Sequence, residues 1–253
     1  MRLALLPCLS LSLALGVAAC STEDPWPLRG AGGGGTIGGG ENPADPDAAT
    51  DGGGNGFTGT VCIVDDLSDP HACPALSLAR DVLIEDAGGT IFTRSDDTGA
   101  FMLSLPGPTV TLRLAADDTL LVPSLDEVTT TDGPVEAKVV EATAWEDTLL
   151  TLIAVAALDP GTGAILVEVT DASGPVQGAT ISASEPNDYG IFYDDGVGGW
   201  DSAQAGTGPG GLALILGVAT AGAVSVGAND GTRTGTDAIT VESESVSFAA
   251  ITL

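Results

Sequence analysis

Gly163-Ala164-Ile165-Leu166-Val167-Glu168-Val169-Thr170-Asp171-Ala172-Ser173-Gly174-Pro175-Val176-Gln177-Gly178-Ala179-Thr180-Ile181 is the stretch on which the fold turns. Ile165, Val167 and Val169 occupy alternate positions, so an extended segment here carries one apolar face. A break rich in Gly and Pro follows, and Ala179, Ile181 and Ala183 resume the alternation. The same texture spreads in both directions. Upstream lie Val61 and Ile63, then Val82 and Ile84, then Phe101, Leu103 and Leu105, then Val110, Leu112 and Leu114, and finally Val135, Ala137 and Val139. Downstream come Leu212, Leu214 and Leu216, then Val224 and Val226, then Val246, Phe248 and Ala250. Turn chemistry separates them, as in Asp86-Ala87-Gly88-Gly89, Asp96-Asp97-Thr98-Gly99 and Pro106-Gly107-Pro108. The intervals suit antiparallel sandwiches better than βαβ units, whose crossovers need a dozen or more residues.

One segment breaks the pattern. Thr143 to Leu158 reads as a helix: Thr143 and Glu146 are spaced as a capping box, and Asp159-Pro160-Gly161 stops it. Trp145, Leu149, Leu152, Ile153 and Ala156 form one broad apolar face, which predicts packing against the sheets. Its apolar part is about half the roughly 20 residues a bilayer span requires.

The run from Gly163 to Ile181 resembles the opening of a carboxypeptidase regulatory-like domain, a transthyretin-like sandwich with the pattern Gly-x-Val-x-Val-x-Asp-x-x-Gly-x-Pro-Val-x-Gly-Ala-x-Val. Thr207 to Gly227 resembles the second half of that domain, with a Thr/Gly turn, an apolar strand, a glycine turn and a last strand. The first half of the chain is similar more loosely, through Gly59-Thr60-Val61, Val82-Leu83-Ile84 and Thr93-Arg94-Ser95-Asp96-Asp97-Thr98-Gly99-Ala100-Phe101. The Pro-x-x-Gly-Ala that normally precedes the second strand is replaced there by Cys73-Pro74-Ala75-Leu76-Ser77-Leu78-Ala79-Arg80. The resemblance implies a non-catalytic module of scaffolding, adhesion or carbohydrate-associated surface proteins. Its motifs are turn glycines and core positions, which specify fold and hardly touch function.

The first residues carry an address. Arg2, the apolar run Leu3 to Gly16, and Val17-Ala18-Ala19 before Cys20 read as a signal peptide over 1–19 ending in a lipobox. Cys20 is the expected acyl acceptor, and Ser21 after it resembles the pattern that permits outer-membrane sorting. Residues 20–56 are rich in Gly, Pro, Asp and Ala with almost nothing to bury, which predicts a tether of roughly 30 Å. Trp26 and Leu28 within it read as stray apolar residues of a linker.

Charge narrows the partners. The chain has 7 Lys and Arg against 35 Asp and Glu, a net charge of −28, which repels phosphate backbones and excludes nucleic acid. After loss of Cys8 and acylation of Cys20, Cys62 and Cys73 remain. In an exported chain they most simply form a disulfide; zinc with the intervening His71 is the alternative, short of a fourth ligand.

Catalytic patterns are thin. The sole histidine, His71, has no Gly-x-Ser-x-Gly elbow to serve and no His-Glu-x-x-His motif to join. Gly206-Thr207-Gly208-Pro209-Gly210-Gly211 has the spelling of a dinucleotide loop, but a strand follows it where a helix is needed, so it reads as a turn. Asp188, Asp194, Asp195 and Asp201 read as one long acidic loop able to offer oxygen ligands to calcium. Tyr189, Phe192, Tyr193 and Trp200 share that loop; anchoring the loop to its own sandwich is the favoured role for these rings, and Tyr189, Tyr193 and Trp200 are the candidate ligand surface if one exists.

The expectation is an all-β protein: two transthyretin-like or Ig-like antiparallel β-sandwiches over 57–141 and 161–253, joined by one short helix within 142–160. It contains no catalytic residues and no required cofactor. It is lipid-anchored to a bacterial envelope, with an envelope protein or a glycan as partner. A carbohydrate-binding module and a hydrolase built on carboxylates alone are the alternatives.

Overall fold

The computed structural model describes residues 56–73, 79–104, 107–116, 119–129, 133–220 and 222–253. Cys20, the leader and nearly all of the tether lie outside these residues. The described chain is mostly β: β1 (Gly56–Val64), β2 (Leu83–Asp86), β3 (Phe92–Arg94), β4 (Ala100–Ser104), β5 (Thr109–Ala115), β6 (Leu121–Val122), β7 (Ser124–Thr129) and β8 (Val135–Glu141) precede α1 (Ala142–Ile153). After it come β9 (Thr162–Asp171), β10 (Gly174–Pro175), β11 (Thr180–Ala183), β12 (Asn187–Asp194), β13 (Trp200–Asp201), β14 (Leu212–Ala219), β15 (Gly222–Asn229), β16 (Thr234–Val241) and β17 (Val246–Thr252).

Three sheets hold these strands. One has the order β4-β1-β8-β6, another β11-β15-β16. The third is ten-stranded, in the order β13-β12-β14-β9-β17-β7-β5-β2-β3, with β10 folded back on β9. It runs through both halves of the chain, because β17 lies between β9 and β7 and pairs in parallel with each. β1 and β8 are also parallel. Side-chain alternation identifies strands but carries no information on direction. Parallel neighbours need a long connection, and here the connections are most of a half-chain.

Burial divides into three clusters. Ile63, Ile84, Leu112, Leu114, Ala137 and Val139 fill a core made from the first half. Ile165, Val167, Ile215, Val224, Val226 and Ile251 fill one made from the second. A third is shared: Cys62, Val64, Val140, Trp145 and Leu149 pack with Leu166, Phe192, Leu214, Leu216, Val246 and Phe248. Strands β9 and β14 are therefore buried on both faces: Ile165, Val167, Val169, Ala213 and Ile215 enter the second core and Ala164, Leu166, Leu214 and Leu216 the shared one, until a register shift after Leu216 turns Val218 to the second core. That double use explains why Gly163–Val169 and Leu212–Val218 are almost uninterruptedly apolar.

Polar links cross the same boundary. Arg113 of β5 donates to Glu85 at 3.0 Å and to Glu242, beyond β16, from a mostly buried position. Opposite charges joined at low exposure add directional attachment to the apolar seam.

The helix differs from its sequence-based expectation. It begins at Ala142 after Glu141, which makes no side-chain capping bond, so the Thr143–Glu146 capping box does not form. Ala154 turns left-handed at φ 58° and ends it at Ile153, five residues early. Trp145 and Leu149 are buried in the shared core as the apolar stripe predicts, and Leu158 reaches that core from beyond the helix. Three longer strands escaped the alternation rule. β7 and β16 are too polar to show it, and β12 sends side chains to two cores.

Candidate functional site

Among the described residues, one recess opens where the ten-stranded sheet parts. β17 pairs with β7 only from Val246↔Ser124 to Phe248↔Asp126. Beyond that point β7 continues along β5 while β17 continues along β9. The split leaves a recess of about 240 Å³ whose lining includes Glu127, Thr129, Ala249, Ala250, Leu166, Leu212 and Phe248. Glu168, Asp237, Asp126 and Lys138 complete it. A second recess adjoins it on the side of Glu136 and shares Asp126, Glu127, Thr129 and Lys138.

Asp126 is the inmost acid of this cleft. It is only 6% exposed; its Oδ2 accepts the backbone N–H of Lys138 at 2.9 Å, and its Oδ1 receives no hydrogen bond among the described residues. Burial pushes its carboxyl up to about 6, against the opposing pull of the Lys138 charge. Lys138, the chain's only lysine, holds its ammonium 5.9 Å from the Phe248 ring centroid. Glu127 is also raised, first by burial and then by repulsion from Asp237, which belongs to the other half of the chain.

The disulfide loop forms the rim. Cys62 and Cys73 are bonded with Cα atoms 5.1 Å apart, as their spacing suggested. Between them, Pro70 lines the cavity and His71 hydrogen-bonds Glu168 of β9 at 3.0 Å. The zinc alternative is thereby corrected: the sulfurs are consumed by each other, and the His71 ring is turned to the opposite half of the chain. Glu136 lies beside the two sulfurs, but no thiolate remains there to ligate.

The region read as one long loop is instead β12, a turn and β13. Tyr193 is buried in the second core with its hydroxyl accepting the Ile181 N–H at 3.1 Å, so it is not part of a surface. Tyr189 and Trp200 are half-buried against the shared core, and the Tyr189 hydroxyl donates to Asp159 at 2.9 Å. A register shift between Asn187 and Gly190, where Gly190 takes φ 96°, places Tyr189 on the face opposite Ile191 and Tyr193. The three aromatics therefore do not share one face.

Three of its carboxylates, Asp194, Asp195 and Asp201, are engaged by backbone. Asp195 accepts from Val197 and Gly199, which hold its carboxyl below the usual range, and Asp201 accepts from Ala203. Asp194, 3% exposed, accepts three N–H donors: Gly208 at 2.7 Å, Gly210 at 2.8 Å and Leu212 at 3.0 Å. The glycine run spelled like a nucleotide loop is thus an anion cradle whose anion is the chain's own Asp194. Glycine is required at Gly211, where φ is 70° and a Cβ would lie 2.6 Å from the Val169 carbonyl oxygen. Sequence reading missed the cradle because its donors are main-chain groups, and it missed the cleft because β7 has no legible strand pattern.

No helix among the described residues is long and apolar enough to cross a membrane. No family model matches the chain, and no curated protein matches it. Three solved structures show distant likeness. A type II cohesin–X-dockerin complex from Acetivibrio cellulolyticus matches at 14% identity and TM-score 0.24, covering 34% of this chain and 57% of that one. A streptococcal ancillary pilin matches at 12% identity and TM-score 0.24, covering 78% and 62%. The Bacillus anthracis TIE protein matches at 11% identity and TM-score 0.23, covering 78% and 33%. The chain thus spans less than two thirds of the length of each.

Proposed function

We propose that this protein is a non-enzymatic lipoprotein of the bacterial envelope, a structural, adhesion or ligand-binding module. Acylated Cys20 and the glycine-rich tether hold a β body of the carboxypeptidase regulatory-like kind at the membrane, with outer-membrane sorting through Ser21. The observation that carries this reading is the fusion of the two halves through one continuous sheet and a shared core. A body so joined transmits load and presents a fixed surface. The groups that could do chemistry serve structure instead: both rim cysteines are in a disulfide, His71 bonds Glu168, and Asp194 fills the cradle.

Anchoring is tested by expressing the full chain in a bacterial host fed an alkyne-tagged palmitate. Label on the wild type and its loss, with release from the membrane fraction, in Cys20→Ser are the expected results. An unlabelled wild type, or a Cys20→Ser chain that keeps the label, refutes the anchoring.

A further inference from the structure

We draw no further inference here: the strongest candidate, the free edge of the four-stranded sheet along β4, where Met102 stands exposed on an uncharged strand, carries nothing because nothing among the described residues shows what covers it.

Discussion

Asp194 and Asp126 are buried to nearly the same extent, at 3% and 6% exposure, yet the fold surrounds them in opposite ways. Asp194 sits in a cradle of three backbone N–H groups from a glycine-rich turn. Asp126 has one backbone donor, a lysine turned toward an aromatic ring, and an open recess. The first closes a local structure. The second is a buried acid only partly satisfied by its own chain, placed at a seam between two halves. Burial alone does not assign a carboxylate its role; the number and origin of its donors do, because each N–H replaces part of the hydration that folding removed.

The largest effect should come from emptying the cradle. Asp194→Ala leaves the N–H groups of Gly208, Gly210 and Leu212 without their acceptor and should cost about 4 kcal/mol, seen as a large fall in the denaturant midpoint. A loss below about 1 kcal/mol means water substitutes for the carboxylate and the cradle is not the lock described here.

Asp126 should behave in the reverse sense, and its effect should depend on pH. Its folded value of about 6 lies above the ordinary 3.8, so the fold favours the protonated form. The associated stability is complete below about pH 4 and is lost as pH rises through 6, by about 3 kcal/mol in all. Asp126→Asn stays neutral and should melt higher than the wild type at pH 8, with the difference vanishing near pH 4. Parallel melting curves at both pH values would contradict this.

The seam also depends on the disulfide loop, which brings Pro70 and His71 to the groove. Replacing Cys62 and Cys73 together by serine should cost about 2–3 kcal/mol, less than Asp194→Ala. Hydrogen exchange should then quicken around Glu168 and leave the cradle protected. The smallest effect belongs to Lys138→Met. Removing the charge that pulls the Asp126 carboxyl downward should move its titration midpoint higher, measured by carbon-13 chemical shift, while the melting temperature changes little at pH 4.

Particular residues show what could be read and what could not. Ile165, Val167 and Val169 announce β9 because alternation on a two-sided strand is directly legible, and Cys62 with Cys73 announces their bond through the short spacing. Ser124–Thr129 announces nothing: Asp126 and Glu127 hide a strand that passes through the seam. Trp145 and Leu149 foretold the buried helix face, but Ala154 ended the helix without a Gly or Pro to mark the place. Tyr193 left the choice between an anchoring ring and a surface one, and pairing with β14 turns it inward.

By itself the sequence determined the local terms: which runs extend, where turns fall, that a helix interrupts them, and that the surface is strongly acidic. These depend on neighbours a few positions apart, so a linear reading contains them. The tertiary structure alone decided that β17 would stand between β9 and β7, that Arg113 would meet Glu242, and that a glycine turn would enclose Asp194. Each joins residues far apart in the chain through main-chain bonds, a side-chain ion pair or shared burial, and none leaves a periodic trace in side-chain order.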